Sequence, residues 1–513
     1  MFSVTDKTLS TMAEALQKGN VELLQKAFTQ ATGLVNIDLQ AGARILYPVI
    51  TPLREMTPRV SGAGGLGPNW RAITAINANN QYSGVSEGNR GGNINTTVKS
   101  YFGNYKALGL EDSVTFEADF AAEQFDDAKA RSVEGLLRSL MIQEENVLLG
   151  GNTSLALGIA PTANLVAIAS GGSIPNVTTV HVRAVALTHE GYQRSTVVGG
   201  IPLLITRTNA DGSVDNFGGG SSNIGADNSV VTASASSSVQ ASVTAVNGAM
   251  AYAWFVGATA GGATLYAITT INSVLITTAT GAGTQLASAV IADNSINALA
   301  YDGMLYLALG AGQENPTALN SGALKVIQAT GLAGVGTPLT ADGAGGIVEI
   351  EDDLQAFWDG SGTLTANRLS PTHLFVNSQE YRNITKKIVA GGGAPLVRMV
   401  TSAQASGGVN EAQLHGGLVV TTYIKKYGSG AGSPLQIVLH PNIAPGTMMY
   451  CHDKLPYPLS NVATPFQYKY RRDYYQLEWP IRSRKYEYGV YTDGLLQHYF
   501  PPSLGVRTNI ANG

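Results

Sequence analysis

The chain has 513 residues, which at roughly 100 to 200 residues per domain makes two to four domains and excludes a small disulfide-stapled scaffold. Charged residues are only 13% of the total against the usual figure of about 25%, so much of the surface is expected to face another subunit. Apolar residues at 44% and a net charge of -4 exclude a disordered chain. The single cysteine, Cys451, excludes an intrachain disulfide or thiolate zinc cluster and fits folding in a reducing cytoplasm.

In chain order, residues 7–31 place Leu9, Met12, Leu16, Leu23, Leu24 and Phe28 at near-helical spacing, interrupted at Gly19-Asn20, which predicts one or two amphipathic helices. No basic start followed by an apolar run marks a signal peptide, and no stretch is apolar enough to read as a membrane span. The prolines at 48, 52 and 58 make the next segment an extended arm. From Trp70 a strand-like run passes through a polar tip at Asn79 to Asn95 and returns as VKSYFGNYKALGL, a hairpin too thin to bury a core of its own. Residues 119–149 carry the strongest helical pattern, with Leu136, Leu140 and Leu148 in its apolar stripe and Gly150-Gly151 as its stop.

After Pro175 the pattern alternates in VHVRAVAL, IPLLIT, VQASVTAV, YAWFV, TLYAIT and VLITT, separated by turn clusters. This predicts an immunoglobulin- or fibronectin-like β-sandwich over about 176–288. Residues 208–324 contain no Lys or Arg, so this stretch is not expected to touch phosphates. Further on, short helices are expected near 303–311, Ile350 to Trp358 and QEYRNITKKIV, with a strand at THLFVNS. The last section alternates through FQYKYRRDYYQLEW and RSRKYEYGVYTD, read as two strands.

Catalytic templates find little support. Gly62, Gly64 and Gly67 have the GxGxxG spacing but lead into a strand rather than a helix, and Gly84, Ser86 and Gly88 lack the strand-to-helix elbow of a nucleophilic serine. The seven histidines are scattered, so no cofactor or metal is expected. The acid pairs Asp126-Asp127 and Glu144-Glu145 diverge by about 100° on a helix and are expected on a solvated face. No enzyme is expected. Lys469, Arg471, Arg472, Arg482, Arg484 and Lys485, interleaved with tyrosines, are weak candidates for contact with a nucleic-acid backbone, although sheet alternation alone gives the same pattern.

Taken in order, these parts resemble the major capsid proteins of tailed bacteriophages, the Hong-Kong-97-like fold. The resemblance is carried by the opening helix, the arm LYPVITPLREMTPRV, the hairpin from Trp70 to Leu110, the helix ending MIQEENVLLGGN and the close WPIRSRKYEYGVYTDGLLQHYFPPSLGVRTNI. It implies an α+β capsid fold with an arm, an extended loop, a spine helix, peripheral and axial domains and an inserted immunoglobulin-like β-sandwich. The division it implies is 1–62 helix and arm, 63–112 extended hairpin and 113–175 spine helix with the first part of the peripheral domain. Then come 176–288 for the insertion, 289–455 for mainly axial structure and 456–513 for the closing strands.

The implied function is self-assembly as hexamers and pentamers into an icosahedral shell around double-stranded DNA, in a virion assembled in the host cytoplasm. Scaffolding, portal and decoration proteins are the implied partners, and no membrane is involved. Candidate contacts between subunits are the hairpin residues Trp70, Tyr82, Arg90, Lys99, Tyr101, Phe102, Tyr105 and Lys106. An encapsulin-like compartment holding protein cargo and a surface filament or adhesin subunit are the alternatives.

Overall fold

The computed structural model describes residues 46–513 apart from 78, 123–126, 311–323, 360–367, 392–397, 402–411, 416–419, 427–431 and 456–460. The helices expected over 7–31 lie outside the described residues. In chain order the elements are α1 (Pro52–Met56), β1 (Arg59–Ser61), β2 (Asn69–Ile76), β3 (Thr96–Phe102), β4 (Lys106–Thr115), α2 (Phe116–Ala122), α3 (Ala128–Gly150) and β5 (Asn164–Ile168). There follow β6 (Thr179–Leu187), α4 (His189–Gln193), β7 (Leu204–Thr208), β8 (Val214–Gly218), β9 (Asn228–Val231), β10 (Ser238–Ser242), β11 (Ala251–Gly257), β12 (Thr264–Thr269) and β13 (Ser273–Ile276). The chain continues through α5 (Met304–Leu309), β14 (Leu324–Ile327), α6 (Val348–Asp359), β15 (His373–Val376), α7 (Ser378–Gly391), β16 (Arg398–Thr401), β17 (Ala412–His415), β18 (Thr422–Ile424) and β19 (Pro434–Leu439). It closes with β20 (Met448–Cys451), β21 (Phe466–Glu478), β22 (Lys485–His498) and β23 (Leu504–Thr508).

Contacts divide the chain into two units, one of residues 1–48 with 114–131 and one of 49–113 with 132–513. In the described part of the first, the Thr115 hydroxyl accepts the Ala118 N–H at 3.2 Å, Asp127 accepts that of Ala130 at 2.9 Å, and Lys129 pairs with Asp119 at 2.9 Å. The side-chain oxygens thus satisfy amide groups that a helix start leaves open. The helical pattern over 119–149 is carried by α2 and α3. The 23 residues of α3 make it about 35 Å long, and it ends at the expected Gly150.

In the second unit, β13-β10-β5 and β12-β11-β6-β9 form two antiparallel sheets. Val180, Val182, Ala184, Tyr252, Trp254 and Val256 of one share a core with Val239, Ala241, Val274 and Ile276 of the other, so the sheets face one another as in a β-sandwich. The first strand of this pair, β5, lies upstream of residue 176. The opposite side of β6 and β11 is covered as well, since Val185, Leu187, Ala253 and Phe255 pack against Ile201, Ala287 and Val290. Burial on both faces is why β11 reads as an unbroken apolar run rather than an alternating one.

A six-stranded mixed sheet, β14-β23-β20-β15-β19-β18, forms the second centre. Leu374, Val376, Met448 and Tyr450 on one face pack against Ile350, Leu354 and Phe357 of α6 and Ile384 of α7. Phe375, Met449, Cys451 and Val506 on the other meet α5 and Leu148 and Leu149 of α3. The last sheet, β1-β21-β22-β4, is built on the long C-terminal hairpin, and β1 adds to it in parallel through Arg59, Val60 and Ser61 opposite Tyr468, Lys469 and Tyr470.

Trp254 is fully buried and its indole N–H donates to the Thr269 hydroxyl at 2.8 Å. Trp254→Ala is expected to destabilise the fold by about 3–5 kcal/mol, measured as a lower urea midpoint. An unchanged midpoint would show that this core does not contribute to the cooperative unit.

Candidate functional site

The hairpin β2–β3 is the first feature that one chain leaves incomplete. Antiparallel register places Trp70 opposite Tyr101, Ala72 opposite Lys99 and Ile73 opposite Val98, with a bulge between Ile73 and Ala75. Side chains alternate across a strand pair, so two distinct faces result. On the inner face Trp70 and Tyr101 are buried, their rings stacked at 5.7 Å, and His498 meets both edge-on at 5.9 and 5.0 Å. The Trp70 indole N–H donates to the His498 carbonyl. Close approach of backbone seats the root, where a Cβ on Gly67 would lie 1.8 Å from the Gly103 carbonyl oxygen.

On the outer face Ile73, Val98 and Phe102 are 65%, 51% and 52% exposed, and Ile76 beyond the bulge is 68% exposed. The tip over 79–95 is exposed throughout and includes Tyr82 and Arg90. Of the eight hairpin candidates, Trp70, Lys99 and Tyr101 are therefore covered by their own chain, while Tyr82, Arg90 and Phe102 are open. Tyr105 is half-buried, and Lys106 donates to the Ala298 carbonyl at 2.7 Å. The Lys99 ammonium is buried without a hydrogen-bond partner, and desolvation lowers its pKa.

The six basic candidates on the C-terminal hairpin are placed differently from one another. Arg471 pairs with Asp493 at 2.8 Å, Arg472 lies over the Tyr475 ring at 4.1 Å and Lys485 pairs with Glu487 at 2.5 Å. Lys469 is half-buried within β21, and Arg482 and Arg484 are exposed in the turn between β21 and β22.

A second feature corrects an expectation. Glu144 and Glu145 do not lie on a solvated face, because both are fully buried. Glu144 accepts from Arg54 at 3.2 Å, from Arg59 at 2.5 Å and from the Tyr474 hydroxyl. Arg59 bridges on to Asp473 at 2.5 Å. Glu145 accepts the backbone N–H groups of Leu53 and Arg54 at 2.9 and 2.8 Å, supplying the cap that Thr51 does not give α1. His440 Nε2 donates to Glu145 at 2.8 Å, a tautomer fixed by the Asn442 N–H on His440 Nδ1 at 3.1 Å. Burial lowers the Arg59 pKa, but the Asp473 hydrogen bond and the Glu144 charge outweigh it and raise the net value.

The sequence held a signal for this node. Leu136, Leu140, Glu144 and Leu148 recur every four residues, which sets Glu144 inside the apolar stripe of α3. Among the described residues no group of three His, Cys, Asp or Glu side chains is placed to hold a metal ion, and no helix is long and apolar enough to cross a membrane.

No family model matches the chain, and no curated protein matches it significantly. Similar solved structures include the capsid of a native GTA particle, 7% identical, covering 95% of this chain and 99% of that chain at a TM-score of 0.41. The capsid of Myoviridae phage XM1 is 9% identical, with 94% and 99% covered at a TM-score of 0.40. The holo-SrpI encapsulin complex from Synechococcus elongatus PCC 7942 is 8% identical, with 94% of each chain covered at a TM-score of 0.38.

Arg59→Ala leaves Glu144 buried with one cation fewer, so it is expected to cost about 3–5 kcal/mol in urea unfolding. Arg59→Met with Glu144→Gln should recover part of that loss, and a double variant as unstable as the single one would refute the assignment.

Two other buried imidazoles set a pH response. Burial holds His189 and His452 down at about 4, against 6.5 for a free histidine. The unfolded chain then binds protons first as pH falls, so stability is complete above about pH 7 and is lost between about 6.5 and 4. Each residue accounts for up to about 3 kcal/mol at the low end. His452→Gln is expected to flatten the urea midpoint against pH across that window, and an unaltered slope would contradict it.

Proposed function

We propose that this chain is a structural shell subunit, a major capsid protein of the tailed-bacteriophage type, which self-assembles as hexamers and pentamers into an icosahedral particle around double-stranded DNA. The observation that carries the reading is the hairpin β2–β3, rooted in its own chain by Trp70, Tyr101 and His498 yet apolar and open at Ile73, Val98 and Phe102. An isolated two-stranded hairpin is marginal in water. A second copy laid against the outer face supplies the burial that one chain lacks.

In this reading α3 is the spine helix of a peripheral domain completed by β1-β21-β22-β4, and the six-stranded sheet belongs to the axial domain. The sandwich built around 176–288 is an immunoglobulin-like insertion. Its lack of Lys and Arg from 208 to 324 suits a position on the outside of the shell, away from DNA. Scaffolding, portal and decoration proteins are the partners that such a shell implies.

Electron microscopy of the full chain, with and without a co-expressed scaffolding protein, tests this reading. Closed shells or rings of five and six are expected, and a homogeneous monomer under every condition would overturn it. Nuclease-protected DNA in particles from infected cells separates a genome shell from a compartment for protein cargo. The hairpin gives an independent check, since protease is expected to cut between Asn79 and Asn95 in free subunits and not in assembled ones. Equal cleavage in both states would count against a covered hairpin.

A further inference from the structure

The turn between β21 and β22 is an exposed protrusion at the end of a long two-stranded ribbon. Trp479 and Ile481 are 41% and 60% exposed around Pro480, and Arg482 and Arg484 follow in the same turn. Trp and Arg are the residue types that dominate protein–protein contacts. Lys485 is matched by Glu487, and Glu478 adds a negative charge beside the turn. Two guanidiniums beside an apolar pair suit a carboxylate-bearing protein surface better than a phosphate chain, which rewards many unmatched cations.

A surface of that kind lies on the same ribbon. Tyr475 and Tyr491 stand opposite one another with rings stacked at 5.8 Å. The Tyr491 hydroxyl donates to exposed Glu111 on β4, exposed Asp112 follows it, and the charge of Asp211 from the β7–β8 turn reaches Tyr491. The cations on this side are engaged, Arg471 by Asp493 and Arg472 by the Tyr475 ring. Strands rise about 3.4 Å per residue, which puts the turn on the order of 20 Å from this surface along an extended ribbon. The turn cannot fold back onto its own acidic surface.

We propose that the 479–484 turn of one copy docks on the Glu111–Tyr491 surface of a second copy, with Arg482 and Arg484 paired to its carboxylates and Trp479 and Ile481 covered. The contact is heterologous, so repetition closes a ring or propagates across a lattice. It rests on the assembly reading above and gives that reading a second, charge-based contact.

Charge exchange in the full chain tests it, read by light scattering after size exclusion and by negative-stain microscopy. Arg482→Glu with Arg484→Glu is expected to lower the assembled fraction about tenfold, as a repulsive charge pair does. Adding Glu111→Lys and Asp211→Lys to the same chain should restore assembly, which excludes misfolding as the cause. Unimpaired assembly of the first variant overturns this contact and leaves the assembly reading standing. A four-fold variant with native circular dichroism that remains as defective as the first also overturns it. Loss of binding to a DNA duplex with assembly unchanged reassigns the arginines to nucleic acid, and a wild-type chain that never assembles removes both proposals.

Discussion

Two adjacent carboxylates without solvent contact hold the crossing point of this fold. Glu144 and Glu145 diverge by about 100° around α3, so each reaches a different neighbour. Glu144 faces the arginines of the arm and Tyr474 of β21, whereas Glu145 faces the start of α1 and His440 after β19. Removing such charges from water costs several kcal/mol each, and only a full set of partners offsets it. A single helical turn therefore makes the arm, the C-terminal hairpin and one end of the six-stranded sheet mutually dependent.

That dependence explains the contrast within the hairpin β2–β3. Its root is fixed to the same framework, because His498, which meets Trp70 and Tyr101, closes β22. Past the bulge at Ile73 and Ala75 the framework ends, and the outward residues remain apolar without cover from their own chain. A rigid root with an open apolar face is suited to presenting a surface at a fixed angle, since the orientation is set before any partner arrives.

The elements of this chain were legible where one rule of periodicity dominates. Period-2 runs marked the C-terminal strands, and the glycines at 150 and 151 marked the end of α3. Legibility failed where burial depends on contacts distant in sequence. A Glu-Glu pair on a helix is ordinarily solvated, and only the arginines at 54 and 59, some 90 residues away, make its burial tolerable. In the same way β5 was missed as part of the sandwich because its pairing with β10 spans more than 70 residues. Among the hairpin candidates, alternation foretold two faces, but which face its own chain covers was set by His498, about 400 residues away.

The low charge of the sequence then acquires a physical sense. Several of its ionic groups are withdrawn into nodes such as Glu144 with Arg54 and Arg59, or Asp353 with Arg507, Gln328 and Tyr450, where they fix segments rather than solvate the exterior. The sandwich stretch adds no cation from 208 to 324. With a net charge of only -4 over 513 residues, copies brought together at high local concentration repel one another weakly. Weak repulsion removes a barrier to association but selects no geometry. Selection must come from directional features, and in this chain those are a hairpin face held at a set angle and an arginine-bearing turn on a stiff ribbon.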